Sequence, residues 1–66
     1  MNITLNGESF ACSNGSSLLT LAQSLELEGQ RYAMELNKEI VPKSEHQSTM
    51  LKEGDCVEVV QAIGGG

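Results

Sequence analysis

One stretch of this chain repeats its apolar residues at helical spacing: Leu18, Leu21, Ala22 and Leu25. At 3.6 residues per turn these side chains form a single stripe, with Gln23, Ser24 and Glu26 turned to water. The other periodic segments alternate instead. In "MNITLN", Met1, Ile3 and Leu5 lie on one side and Asn2, Thr4 and Asn6 on the other, the period of a half-buried strand. One helix can cover one face of one sheet. The pattern therefore predicts an α+β fold of two layers: a mixed sheet of four to five strands with one main helix across one face.

The order of elements follows from the punctuation. Asn6 and Gly7 tolerate positive φ and predict a tight hairpin turn. "ESFAC" then alternates again, with Phe10 and Cys12 on the apolar side. The hydroxyls of "SNGSS" cap the helix, through Ser16 or Ser17. "EGQR" around Gly29 ends it. "YAMEL" and "EIVP" read as short strands joined by Asn37 and Lys38, the second stopped by Pro42, which cannot donate to a ladder. "KSEHQS" is polar and irregular, with room for one helical turn, and "EGD" at Glu53 to Asp55 is a turn. "CVEVVQAI" is the last and most apolar strand, rich in β-branched residues. The first and last strands are expected side by side in the centre. Leu18, Leu21 and Leu25 are expected to pack on Ile3, Leu5, Val57 and Val59.

A chain of 66 residues makes one domain and buries only about 60% of its unfolded surface, so its stability is expected near ~5 kcal/mol. It has no room for a deep catalytic cleft. Four basic residues face nine acidic ones, for a net charge of −5. That excludes a phosphate-backbone binder, which needs clustered Lys and Arg, and predicts a partner with a basic face. Two cysteines are too few for a disulfide framework. "MNITLNG" lacks the basic and apolar regions of a signal peptide, and no apolar run spans a membrane. A cytoplasmic location is expected, with neither nucleic acid nor membrane as a partner.

The chain stops at "EVVQAIGGG". Glycine is the costliest residue to order, so a folded domain gains nothing from this end. Together with "NG" after the first strand, "ELNKEIVPKSEH" in the middle and "LKEGDCVEVVQAIGGG" at the close, it resembles the ubiquitin-like, β-grasp sulfur carriers. The match is best to the thiamine-biosynthesis sulfur carrier family, ThiS. The resemblance covers the whole chain. It implies a β-grasp domain over 1–63 and a flexible reactive tail over 64–66. The family ends in two glycines; Gly65 and Gly66 correspond to them, and Gly64 is additional.

What the resemblance implies is a carrier, not an enzyme. A ubiquitin-activating-like adenylyltransferase uses ATP and Mg²⁺ to adenylate the Gly66 carboxylate. Sulfur from a cysteine desulfurase, or another persulfide donor, then leaves a C-terminal thiocarboxylate. That sulfur enters the thiazole of thiamine through thiazole synthase. No cofactor is bound by the chain itself. The residues suit this chemistry, because an α-carboxylate is ionised at neutral pH and Gly64 and Gly65 have no side chain to obstruct threading into a narrow channel.

Other residues invite plainer readings. A glycine-rich end is in many chains only a linker stub. Cys12 reads as a small buried hydrophobe rather than a persulfide relay. Cys56 alternates with Glu58 and Val60, so it faces out, and is read as a passive thiol. His46 stands alone in a polar loop and is read as a surface residue, with no second ligand at metal spacing. The acidic residues read mostly as a solvated face. Glu58 and Val60 point away from the helix, and with Ala62 and Ile63 beside the tail they form a candidate partner-docking patch. Two other functions share this fold: the carrier of another sulfur pathway, such as the small subunit of molybdopterin synthase, and a non-covalent ubiquitin-like interaction module.

Overall fold

Two tight turns give the sheet its two hairpins. Asn6 and Gly7 sit at φ 49° and 84°, the positive values that a two-residue primed turn requires, and join β1 (Asn2–Leu5) to β2 (Glu8–Ala11). Asn37 and Lys38, at φ 51° and 73°, join β3 (Tyr32–Leu36) to β4 (Glu39–Val41) in the same way. The computed structural model describes residues 1–61. The last strand, β5 (Cys56–Gln61), enters between the hairpins. It runs parallel to β1, with Thr4 beside Cys56, and antiparallel to β3, from Tyr32 opposite Gln61 to Leu36 opposite Val57. The result is one five-stranded mixed sheet of order β2-β1-β5-β3-β4. First and last strands are side by side, as expected, and β5 is the middle one.

Helix α1 (Leu18–Ser24) crosses one face. The first amides of a helix have no partner within it. Here the Thr20 amide donates to the Ser17 side chain at 3.1 Å, making Ser17 the N-cap. The Leu18 and Leu19 amides donate to the carbonyls of Thr49 (3.0 Å) and His46 (3.1 Å). The segment between Pro42 and Leu51, a 3₁₀ turn over Lys43–Glu45 followed by a loop, thus lies against the start of the helix. This overturns the surface reading of His46. Only 1% of it is exposed, and its Nε2 lies 2.9 Å from the Val41 carbonyl oxygen. Polar neighbours in sequence conceal a side chain that the 3₁₀ turn folds inward.

The helix also ends earlier than Gly29. Glu26 takes the left-handed conformation, at φ 59°. Its amide donates to the Gln23 carbonyl at 3.1 Å and that of Leu27 to the Ala22 carbonyl at 3.0 Å, the paired bonds of a Schellman cap. The cap turns the chain back, and Leu27 is buried as a result.

The core is Ile3, Leu18, Leu21, Ala22, Leu27, Met34, Leu51 and Val57. Leu5, Leu25 and Val59 pack on it half-buried, so the expected contact between helical stripe and central strands holds, with those three at its margin. Met34, Leu27 and Leu51 join it beyond the residues that the sequence pattern marks. The domain boundary expected after Ile63 lies outside the described residues.

Leu21→Ala removes a nearly inaccessible side chain from the middle of the stripe. It should cost about 2–5 kcal/mol and bring the melting transition down sharply. An unchanged thermal melt would contradict this core. Glu26→Gly should act oppositely. It relieves a non-glycine residue of the left-handed conformation, a gain of about 1 kcal/mol and a melting temperature higher by about 4–8 °C. A lower melting temperature would contradict the cap.

Candidate functional site

Strand β5 is held on both sides over its first half, by β1 at Cys56 and Val57 and by β3 throughout, and on the β3 side alone to its last described residue, Gln61. The two primed turns contribute sideways as well as along their hairpins. The side-chain oxygen of Asn6 accepts from the Val59 amide at 2.8 Å, and that of Asn37 accepts from the Cys56 amide at 2.9 Å. The Asn37 side-chain amide donates in turn to Asp55 at 3.2 Å, whose other oxygen accepts from the Lys52 amide at 2.8 Å. Asp55 is therefore buried with both oxygens occupied. At the far end Gln61 donates through its side chain to the side chain of Gln30 at 2.6 Å. Lys43 donates to the Gln30 carbonyl at 3.4 Å and stands 4.2 Å over the ring of Tyr32, the strand partner of Gln61. Whatever follows Gln61 therefore departs from a fixed point on the sheet.

The sheet's other face carries no helix. Residues facing each other across paired strands share a side, so the register places Glu58, Glu35 and Ile40 in one row and Val60 and Ala33 in the next. Val60 is 59% exposed and Ile40 71%. Glu58 is exposed and Glu35 half-buried. Of the expected docking patch, Glu58 and Val60 are on this face; Ala62 and Ile63 lie outside the described residues, as do Gly64, Gly65 and Gly66. Sequence reasoning missed Glu35 and Ile40. The two-residue turn at Asn37 and Lys38 would have set them opposite each other; the pairing of Glu35 with Glu58 needs the β3–β5 register, which no local pattern encodes.

The cysteines offer little chemistry. Cys56 is exposed, on the same side as Glu58 and Val60, as expected. Cys12 is half-buried against the core rather than fully buried, because it follows the edge strand β2. It lines a cavity of about 230 Å³ between β2 and α1 with Phe10, Leu21, Ser16 and Thr20. The hydroxyls there serve the fold: Ser16 donates to the Ser13 carbonyl at 2.7 Å, and Thr20 lies 3.1 Å from the Ser17 hydroxyl. Among the described residues no three His, Cys, Asp or Glu are grouped to hold a metal ion, and no helix is long and apolar enough to cross a membrane. What remains is a fixed strand end beside an open, acidic and apolar face.

Comparison with known proteins agrees with this geometry. The ThiS family model matches residues 3–66. The uncharacterized protein ycf40 of Pyropia yezoensis is 39% identical over the whole chain, which covers 93% of that protein. The thiazole synthase of Paramagnetospirillum magneticum is 36% identical over all 66 residues, which span 20% of its length. The sulfur carrier protein ThiS of Escherichia coli is 27% identical over the full length of both chains. The crystal structure of thiamine biosynthesis protein ThiS from Geobacter metallireducens matches with a TM-score of 0.84 and 29% identity, covering 100% of each chain. With a family match from the first strand to the last glycine and the same sheet and helix in a solved relative, this chain belongs to the ThiS family and has its β-grasp fold.

Proposed function

We propose that the chain is a sulfur carrier for thiamine biosynthesis whose working group is the main-chain carboxylate of Gly66. The observation that carries this reading is that the family match runs through residue 66, so the terminal glycines belong to the family pattern rather than to a stray end. Under this reading the fold is a handle and catalysis belongs to partners. An adenylyltransferase of the ubiquitin-activating kind lets the carboxylate oxygen attack the α-phosphorus of ATP, with pyrophosphate leaving. Mg²⁺ and the nucleotide are the enzyme's to bind. The acyl adenylate then replaces a poor leaving group with AMP. A persulfide sulfur, supplied by a cysteine desulfurase or another donor, attacks the acyl carbon and AMP departs. A second thiol cleaves the resulting acyl disulfide, closing a disulfide on the donor side and leaving the thiocarboxylate.

The acceptor on this reading is a thiazole synthase. Two thiazole synthases each contain a segment similar to this entire chain, over 20% of their length, which joins a carrier-like unit to the synthase in one polypeptide. Gly65 precedes the reacting carbonyl, and a side chain there would have to enter the channel beside the nucleotide. Gly64 lies farther back and should accept Ala more readily. Ordering the tail in an active site costs about 1–2 kcal/mol per residue, which contacts made by the domain must offset.

Intact-mass measurement after incubation with the adenylyltransferase, ATP and a persulfide donor tests this. Three chains are compared: unaltered, truncated after Gly64, and Gly65→Val. All three should melt alike. Only the unaltered chain should gain the mass of one sulfur in place of one oxygen. Equal thiolation of the truncated chain would overturn the proposal.

A further inference from the structure

The last two described residues of β5 are held less firmly than the rest of the strand. β1 pairs with β5 only at Cys56 and Val57, and the Asn6 side chain reaches β5 at Val59. Val60 and Gln61 are paired on one side alone, with Ala33 and Tyr32. A strand end held in this way opens at little free-energy cost. One side chain counters it. Gln30 is exposed, yet every polar group it carries is engaged. Its main-chain amide donates to the Leu27 carbonyl at 3.0 Å, and its main-chain carbonyl accepts from Lys43 at 3.4 Å. Its side-chain nitrogen donates to the Glu26 carbonyl at 3.0 Å, and its side-chain oxygen accepts from the Gln61 side chain at 2.6 Å. A main-chain carbonyl can only accept. The nitrogen of Gln30 must therefore face Glu26, which leaves its oxygen to face Gln61.

We propose that Gln30 is a positioning residue for the chemistry at Gly66: anchored on the Glu26 carbonyl, it clamps Gln61 against Tyr32 and so fixes the point from which residues 62–66 start. The inference rests on the adenylation reading above. Lys43 backs the clamp, since it bonds the Gln30 carbonyl and stands over the ring of Tyr32, the strand partner of Gln61. Magnitudes decide what such a clamp is for. Against the stability of the whole domain, one exposed hydrogen bond is a minor contribution. Against the fraying of a strand end, which costs almost nothing, the same bond is enough to choose the populated state. With Gln61 released, an enzyme that takes up the terminal glycines must order Gln61 as well, and its apparent affinity falls by the fraction of carrier still clamped. The effect is on binding. Gln30 touches no reacting atom, and the bond-making step at Gly66 is unchanged once the chain end is in place.

Two measurements on the full chain and its variants Gln30→Ala, Gln61→Ala and the double variant test this. In the free carrier, amide hydrogen exchange over Val60 and Gln61 should quicken about fivefold in each variant, while all four proteins melt alike. In ATP–pyrophosphate exchange with a ubiquitin-activating-like adenylyltransferase and Mg-ATP, each single variant should need about fivefold more carrier for half-maximal rate and reach the same maximum. The double variant should be no worse than either single one, because one shared bond can be lost only once. Unchanged amide exchange, unchanged half-saturation, or losses that add in the double variant would overturn the clamp and leave adenylation intact. An unaltered chain that supports no ATP–pyrophosphate exchange would overturn the adenylation reading, and the clamp's role with it.

Discussion

Everything in this fold depends on the pairing of β5 with both β1 and β3. The two hairpins do not touch each other in the sheet; each meets only β5. A two-stranded hairpin alone is marginal in water, and each becomes part of a stable sheet only when the final strand is inserted. The insertion joins Thr4 to Cys56, nearly the whole length of the chain, so it is expensive in chain entropy. The side chains of Asn6 and Asn37 offset some of that cost by binding β5 amides from either side. Val57, almost fully buried beneath the helix, supplies the apolar part.

The same strand links stability to function. The exit of β5 at Gln61 is set by its pairing with Tyr32 on β3 and by the Gln30 contact. Because one helix covers one face, the opposite face stays bare. A small domain thereby offers a defined point of departure for its terminal residues and a flat surface close to it. Some positions are not tuned for stability. Glu26 and Lys38 sit at positive φ where glycine would be easier, and Glu35 opposes Glu58. A domain of this size has little stability to spare, so such positions carry weight. At Glu26 the Schellman hydrogen bonds, and the Gln30 side chain donating to the Glu26 carbonyl at 3.0 Å, offset part of that cost.

Local chemistry makes much of this legible. The stripe Leu18, Leu21, Ala22 predicts the helix and its buried side, "NG" the first turn, and alternation the strands. The contribution of Pro42 to Leu51 is hidden, because it is made by main-chain carbonyls of Thr49 and His46 that carry no side-chain signature. His46 escapes for the same reason: its burial comes from tertiary folding of a polar segment. The helix end is misplaced because glycine is the usual left-handed cap and Glu26 takes that conformation instead. Of the site, Val60 and Glu58 follow from alternation along one strand, whereas Glu35 requires knowing which strand lies beside it.

The central claim is that chemistry occurs at the end of the chain while the domain remains a handle. Fragmentation mass spectrometry of the sulfur-loaded protein tests it most directly, by locating the added sulfur within the sequence. The sulfur should be found on the fragment ending at Gly66, with Cys12 and Cys56 unmodified. Sulfur carried on either cysteine, with an ordinary carboxylate at Gly66, would contradict the claim.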